Sequence, residues 1–377
     1  MRYLEFNKKK LFYKEPIEFN KYTDKEILKY AIGANLYMNG EKNFYKKIIY
    51  GEFNDLGAIS ICFEDATKDS EVEAAENNVV NMLNKLDKHI NYEKEKISNV
   101  PLIFFRVRNY NQFIKFTSKL SENHYKYIAG FIFPKFNSEN AIEYLEYTRR
   151  LSIKYNEVLY AMPILESEFI IYKETRIQEL LNIKEILNRY EDIILNIRVG
   201  GTDFSSKFGL RRGVDSSIYN VRVVSDCLID IINVFLRDKE NYVISAPVWE
   251  YFSEDVNSKE VQGFIREIKN DKENGFCGKT IIHPSQKKYV NALYTVTYEE
   301  YIDAKSIISS CGDGGVFKGY GGNKMNEVKP HFNWAKKIIE RSEIFGVLKE
   351  NVSVEQLYKD DEEYKINNII EMNLNYR

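Results

Sequence analysis

The sequence lacks an excess of charge of either sign. Its 377 residues include 54 lysines and arginines against 56 aspartates and glutamates. A general nucleic-acid-binding protein would need a clear basic excess. We therefore expect no nucleic-acid partner.

Cysteine and long apolar runs are also scarce. The four cysteines are widely spaced and form no CxxC pair, which argues against both a zinc site and a disulfide framework. No segment approaches the ~20 uninterrupted apolar residues of a membrane-spanning helix. Residues 1–16 carry no apolar region and no cleavage signature of a signal peptide. We expect a cytoplasmic protein with no membrane partner.

Several common catalytic motifs are missing. HExxH, GxSxG and the kinase motifs do not occur, and no two of the four histidines have the spacing of metal ligands. The segment Gly278-Lys279-Thr280 resembles the end of a P-loop, but Glu273 stands where the first glycine is needed, and the segment precedes a strand. The chemistry must therefore be sought elsewhere in the chain.

What the sequence does have is a regular alternation of short β-rich runs with charged helical stretches. Most of the runs are apolar on both faces, as in a parallel sheet that helices cover. Eight such units predict an α/β protein with a (β/α)₈ TIM barrel. The alternative, an open doubly wound sheet, would carry a GxGxxG signature after its first strand, which is absent. The eight runs are Ala31–Tyr37, Ala58–Phe63, Leu102–Val107, Ile128–Phe133, Val158–Ile164, Ile193–Val199, Tyr242–Ser245 and Thr280–His283. The helical stretches predicted between them include Glu71–His89, Ser138–Tyr155, Glu168–Tyr190 and Tyr219–Arg237.

The pattern divides the chain into three parts. Residues 1–30 form a polar lead-in, residues 31–295 the barrel, and residues 296–377 a C-terminal lid and helical extension. The extension contains helical stretches at Tyr298–Ser310 and Asn333–Ile344, with the glycine-rich loop Gly312–Gly322 between them. Its end, Asn351–Arg377, is polar and charged, and it is expected to be a small capping helix or a partner-binding tail.

Catalytic groups of TIM barrels stand at the carboxyl ends of the strands. In this sequence, polar and ionisable residues cluster where the apolar runs stop. Any one of them could be a solvated loop charge, but a whole ring of charge is costly unless it binds something. The ring comprises Glu64, Asp65, Arg106, Arg108, Lys135, Glu166, Gly201, Thr202, Asp203, Trp249, Glu250 and His283.

Two carboxylates of this ring point to a metal. Glu166 and Asp203 follow adjacent strands, and two carboxylates with waters and substrate oxygens are typical Mg²⁺ ligands. The alternative is that one of them pairs with Arg106 or Arg198. Arg106 shares a strand face with Arg108, and one of the two could clamp a substrate carboxylate or stabilise an enolate. For His283, an orienting or structural hydrogen bond is as plausible as catalysis.

At this point the order of the motifs resembles a known family. It is similar to the HpcH/HpaI aldolase and citrate-lyase β-subunit superfamily over residues 31–345. Two further segments, GLRRGVDSSIYN (209–220) and APVWEYF (246–252), resemble the carbon–carbon-bond-lyase branch found in tellurium-resistance (stress) gene clusters. The superfamily motifs are CFEDAT (62–67), FFRVRN (104–109), FIFPK (131–135), MPILES (162–167), RVGGTDF (198–204), GFCGKTIIHPSQ (275–286) and NKMNEVKPH (323–331).

The resemblance implies roles for individual residues. Glu166 and Asp203 match the metal ligands, and Arg106 matches the arginine that holds the substrate and its enolate. Glu64 and Asp65 match acids near the metal waters. Glu327 is the counterpart of a lid aspartate and is longer than it by one methylene. Relatives form trimers or hexamers, so we expect a homo-oligomer.

Two departures bear on the substrate. Met38–Glu41 replaces a proline-containing loop that helps relatives bind coenzyme A, and Arg211-Arg212 follows the metal aspartate, where two arginines suit a phosphate or a second carboxylate. These features favour a Mg²⁺-dependent lyase for a 2-oxo-acid-like or phosphorylated small molecule. There are two alternatives. One is an acyl-CoA lyase of the citryl- or malyl-CoA type, and the other is a non-catalytic metabolite-binding barrel in a stress-response complex. The predicted substrate-binding residues are Arg106, Arg108, Lys135, Gly201, Thr202, Arg211, Arg212, Trp249 and His283.

Overall fold

A computed structural model describes residues 6–93, 100–237, 240–312 and 314–359 of the chain. The strands are β1 Phe12–Lys14, β2 Ala34–Asn39, β3 Ala58–Cys62, β4 Leu102–Arg106, β5 Ile128–Phe133, β6 Tyr160–Leu165, β7 Ile197–Val199, β8 Ile244–Ser245, β9 Lys279–Ile281, β10 Val316–Lys318, β11 Met325–Glu327 and β12 Val347–Leu348. The helices are α1 Lys25–Leu28, α2 Tyr45–Ile49, α3 Val72–Glu93, α4 Tyr110–Ser118, α5 Ala141–Tyr155, α6 Glu168–Ile171, α7 Lys173–Arg189, α8 Gly201–Ser206, α9 Arg222–Phe235, α10 Lys259–Glu273, α11 Lys287–Tyr294, α12 Tyr298–Ser309 and α13 Val328–Phe345.

Strands β2 to β9 form a TIM barrel, as the sequence predicts. They pair in parallel in the order β8-β7-β6-β5-β4-β3-β2-β9. A parallel bridge between Ala246 and Lys279 joins the two ends of this order and closes the barrel. Each of the eight predicted runs overlaps one of these strands, and their bounds differ by a few residues.

The strands are buried on both faces because side chains fill the barrel inside and helices cover it outside. Every residue of β4 and β6 is buried. On the outside, Phe63 and Phe105 lie with their ring centroids 5.9 Å apart, and Phe116 of α4 lies 4.7 Å from Phe63. Aromatic side chains thus fix α4 against the barrel wall.

Helix ends follow the sequence, with one correction. Ser258 caps α10 by accepting a hydrogen bond from the backbone of Val261, and Asn156 ends α5 in the left-handed conformation. The stretch Glu168–Tyr190, predicted as one helix, is two helices. Tyr172 has an extended backbone (ψ 129°), which interrupts the helix between α6 and α7.

The C-terminal extension is helical, as predicted, and packs at the N-terminal end of the barrel. Helix α13 contacts α1 and α12, the Tyr30 hydroxyl donates to Glu340 at 2.7 Å, and β12 pairs with β1. The described part of the extension, up to residue 359, therefore does not cover the carboxyl end of its own barrel. The predicted glycine-rich loop contains β10, which pairs with β11, and residues 360–377 of the predicted tail lie outside the described residues. The domain boundary at 295/296 stays a prediction.

No helix in the described part of the chain is long and apolar enough to cross a membrane.

Candidate active site at the barrel mouth

A cavity of about 220 Å³ opens at the carboxyl ends of the barrel strands. A larger depression, of about 560 Å³, lies on the outer surface beside α7 and α9, but there Arg176 and Asp226 pair with each other at 2.8 Å. The barrel-mouth cavity is therefore the better candidate site. It is lined by Tyr37, Asp65, Arg106, Ile164, Glu166, Arg198, Val199, Gly200, Gly201, Thr202, Asp203, Val248, Thr280 and Ile282.

Arg106 is the central cation of this cavity. It ends β4, and its guanidinium lies 2.8 Å from Glu64, 3.3 Å from Asp65 and 3.2 Å from Glu166. Burial disfavours the charge, but Glu166 and other neighbours raise the pKa of Arg106 well above its ordinary value. Arg106 therefore keeps a permanent positive charge at the floor of the site.

Glu166 is held in place by hydrogen bonds on one side and by the backbone of Gly200 on the other. Its Oε1 accepts hydrogen bonds from Arg106 and, at 2.9 Å, from the backbone N–H of Lys135. Lys135 adopts the left-handed conformation (φ +49°) to present that N–H. On the other side, a Cβ at Gly200 would stand 2.3 Å from Glu166 Oε2. Only glycine at position 200 leaves room for this carboxylate.

The acids after β3 differ in their protonation. Burial alone would raise the pKa of Glu64, but its hydrogen bond with Asp65, the charge of Arg106 and the 2.7 Å contact with Lys135 Nζ lower it to about 2. Partial burial and the hydrogen bond with Glu64 raise the pKa of Asp65 to about 6. Glu64 is thus a fixed anion that orients Arg106, and Asp65 is able to exchange a proton near neutral pH.

Asp203 lies in the first turn of α8, half-buried, and faces the same space. Burial raises the pKa of Glu166 to about 8, and the negative charge of Asp203 adds to this rise. Among the described residues, no group of three or more Asp, Glu, His or Cys side chains is placed to hold a metal ion. Two carboxylates suffice for Mg²⁺, which usually keeps several waters and takes further oxygens from the substrate. A divalent cation fits here because it would compensate the repulsion between Glu166 and Asp203.

Six of the predicted site residues line the cavity, and Glu64 and Lys135 contact them from the rim. Gly201 and Thr202 line it at the start of α8, where the Thr202 hydroxyl donates to Glu250 at 3.1 Å. The six are Asp65, Arg106, Glu166, Gly201, Thr202 and Asp203. The structure thus brings together residues that follow four different strands.

Arg108 is placed outside the cavity. Its guanidinium donates to the carbonyl of Phe63 at 3.1 Å and that of Thr67 at 2.6 Å, and it pairs with Asp69. These contacts hold the loop after β3, which carries Glu64 and Asp65.

Arg212 and Trp249 are likewise committed within the protein. Arg212 is buried and pairs with Glu267 and, at 2.8 Å, with Glu250, and it lies 4.9 Å from the ring of Trp249. The Trp249 indole donates to the carbonyl of Glu260 at 3.0 Å. Neither side chain lines the cavity, and of the Arg211-Arg212 pair only Arg211 is exposed.

His283 and Glu327 also lie away from the cavity lining. His283 stacks on Phe252 with ring centroids 4.3 Å apart and accepts a hydrogen bond from the backbone of Ser285. These contacts are of the structural kind, which is one of the two roles that the sequence leaves open for His283. Glu327 precedes α13, and its backbone N–H donates to His331 at 3.0 Å. Since α13 packs at the opposite end of the barrel, Glu327 does not reach the cavity of its own chain.

Three polar residues of the lining are not among the predicted site residues. Tyr37, Arg198 and Thr280 come from β2, β7 and β9 and meet inside the barrel. Arg198 was considered only as an ion-pair partner of the metal carboxylates. Its occurrence within an apolar run, ILNIRV, was the signal that could have identified it, because a charge inside a fully buried strand needs a reason.

Comparison with known proteins agrees with the TIM-barrel fold. The family described as C–C bond lyase of the TIM-barrel fold matches residues 26–347. No curated protein matches the chain in sequence.

Two solved structures share the fold at low identity. A citrate lyase from Burkholderia xenovorans LB400 is 13% identical over 87% of this chain and 96% of its own, with a TM-score of 0.61. The CitE protein of Mycobacterium tuberculosis, in complex with magnesium, acetoacetate and coenzyme A, is 14% identical over 82% of this chain and 97% of its own, with a TM-score of 0.54.

Proposed function

Since the chain belongs to the C–C bond lyase family of the TIM-barrel fold, we propose that it is a Mg²⁺-dependent lyase. The substrate would be a small 2-oxo-acid-like or phosphorylated molecule whose carbon–carbon bond breaks to leave an enolate. One observation carries this proposal: Arg106, Glu166 and Asp203 meet in a single cavity at the carboxyl ends of the strands.

Glu166 and Asp203 are the residues that would hold the metal. A bound Mg²⁺ would supply Lewis-acid stabilisation of the enolate oxygen. The metal is supported by the two carboxylates and by the raised pKa of Glu166, which burial causes and the negative charge of Asp203 increases. The fold neighbour from M. tuberculosis binds magnesium together with acetoacetate.

The remaining groups bind the substrate and carry its proton. Arg106 would place positive charge beside the substrate carboxylate and the developing oxyanion. Its buried Nε has no hydrogen-bond partner among the described residues, so this N–H can donate to the substrate. Glu64 holds Arg106 and Lys135 in place. Asp65, with its pKa raised to about 6, is the residue that would hold and transfer a proton. Ile164, Val199, Val248 and Ile282 provide apolar walls that limit water in the site.

A role for Glu327 requires a second copy of the chain. Its helix lies at the opposite end of the barrel, so it could reach only the cavity of a neighbouring copy, as in the predicted trimer or hexamer. Light scattering of the purified protein measures its oligomeric state. Membership of the tellurium-resistance branch and a cytoplasmic location stay predictions.

The proposed activity is tested by Mg²⁺-dependent product release. The purified protein is incubated with 2-oxo-acid aldols, their phosphorylated forms and acyl-CoA thioesters, and pyruvate, glyoxylate, oxaloacetate and acetyl-CoA are measured. We expect release from an oxo-acid substrate that stops when EDTA is added and returns with Mg²⁺. Release from thioesters alone would favour the acyl-CoA alternative. Mg²⁺ binding without release from any compound would favour a binding role.

We expect Mg²⁺ affinity to rise with pH and to level off above about pH 8. Because burial raises the pKa of Glu166 to about 8, the metal-free protein holds a proton there at neutral pH, and metal binding must release it. Well below pH 8, affinity should therefore increase up to about tenfold per pH unit. Isothermal titration calorimetry across about pH 6.5 to 9, in buffers of different ionisation enthalpy, measures both the affinity and the released proton. A constant affinity over this range would contradict the raised pKa.

A further inference from the structure

Arg198 is a buried cation to which the described chain offers no carboxylate. Arg198 is only 1% exposed to solvent. One nitrogen, Nη2, donates to the hydroxyl of Thr280, whereas Nε and Nη1 have no hydrogen-bond partner among the described residues. The charge is thus removed from water without being neutralised.

This arrangement is unfavourable by itself, since a buried charge costs free energy unless it is paired. Tyr37 compensates in part, because its ring lies 5.7 Å from Arg198 and 5.9 Å from Arg106, and its side chain makes a polar contact with the Arg198 guanidinium. Tyr37 is a neutral group, however, and does not cancel the charge. Elsewhere the chain pairs its buried arginines: Arg212 has Glu267 and Glu250 as partners. The lack of a carboxylate partner therefore distinguishes Arg198 from Arg212.

The unpaired guanidinium lines the same cavity as Glu166 and Asp203. Apolar side chains, among them Ile164 and Val199, form the walls of that cavity. A buried water could satisfy the free N–H groups, but only an anion neutralises the charge. The cavity is also small, about 220 Å³, below the roughly 300–1,000 Å³ of sites for drug-sized ligands.

We propose that Arg198 binds a second anionic group of the substrate, which is therefore a compact dianion. One carboxylate, with the 2-oxo group, occupies the Glu166, Asp203 and Arg106 end of the cavity. The other group, a carboxylate or a phosphate, pairs with Arg198 beside Tyr37 and Thr280. This proposal rests on the proposed function for the place of the first carboxylate, and it makes Arg198 the residue that selects dianions over monoanions.

Binding measured without turnover tests the proposal. In the presence of Mg²⁺, the affinities of pyruvate, oxaloacetate, 2-oxoglutarate and 3-phosphonopyruvate are compared for the native protein and for Arg198→Met. We expect at least one dianion to bind the native protein about tenfold or more tightly than pyruvate, since hydrogen bonds to charged groups contribute on this scale. Arg198→Met should remove this advantage and leave pyruvate and Mg²⁺ affinity unchanged. Whether the preferred dianion carries a carboxylate or a phosphonate identifies the second group.

The variants also separate a binding role from a structural one. Because Arg198→Met removes an unpaired buried charge, its melting temperature without ligand should equal or exceed that of the native protein. Thr280→Val, which removes the oxygen that orients Nη2, should weaken only the dianions. Arg150→Met, at an exposed arginine on α5, is the matched control and should change nothing.

Three results would overturn the proposal: equal binding of pyruvate and all dianions by the native protein, an unchanged preference for dianions in Arg198→Met, or a large loss of stability in that variant. Failure of the proposed function would look different. In that case selective dianion binding would persist while no carbon–carbon bond is cleaved.

Discussion

Replacing Asp203 with asparagine is expected to abolish Mg²⁺ binding and turnover together. The change keeps the shape of the side chain and removes one of the two cavity carboxylates that are proposed to hold the metal. Metal stabilisation of a developing oxyanion contributes several kcal/mol, and each 1.36 kcal/mol corresponds to a factor of ten in rate. Turnover should therefore fall by roughly 10³-fold or more. Calorimetric Mg²⁺ titration and the product-release assay measure the two losses.

The same substitution at an exposed aspartate provides the control. Asp215 is exposed, and its nearest cationic partner is Lys259 at 3.8 Å. Asp215→Asn should bind Mg²⁺ and turn over substrate like the native protein. Both variants should keep the native melting temperature, because neither aspartate is fully buried. Full activity of Asp203→Asn would exclude this residue as a metal ligand.

The largest effect on stability is expected at Lys279, whose ammonium contacts acids of α10. It is fully buried on β9, and its ammonium lies 3.1 Å from Glu267 and 2.7 Å from Asp271, two equally buried acids of α10. Lys279→Met would leave these acids short of positive charge. Removing one partner of a buried ion pair costs about 3–5 kcal/mol, so the free energy of unfolding should fall by that amount.

Matched variants identify the cause of the loss. Lys259→Met, at an exposed lysine, should change the free energy of unfolding by less than about 0.5 kcal/mol. Adding Asp271→Asn to Lys279→Met should recover part of the stability, because the two sites are in contact. Urea denaturation of the four proteins measures these differences. A loss below about 1 kcal/mol in Lys279→Met would mean that water or a rearranged neighbour replaces the ammonium.

This network also explains where Arg212 lies. Glu267 accepts from Arg212, from Lys279 at 3.1 Å and from the backbone of Ile218 at 3.0 Å. The same carboxylate thus ties α10 to the loop that follows the cavity aspartate. In the sequence, Arg211-Arg212 suggested an anion site on that loop, but the partner of Arg212 comes from a segment 55 residues further along. A local pattern cannot reveal such a partner.

The sequence by itself determined the barrel and was enough to propose the central residues of the candidate site. Runs that are apolar on both faces can form only strands that are covered on both sides, and eight of them with intervening helices leave few architectures. Arg106, Glu166 and Asp203 could be selected because each stands at or just after the end of such a run, where parallel strands bring their termini to one face.

Only the tertiary structure decided which of the charged residues are free to bind a ligand. Arg106 and Arg108 are two residues apart, yet one faces the cavity and the other holds the loop after β3. Arg212 forms ion pairs with Glu267 and Glu250, whereas Arg198 has no carboxylate partner among the described residues inside the barrel. The physical reason is that the chemistry of a buried charge depends on the groups packed around it, and those groups come from strands and helices that are distant in the sequence.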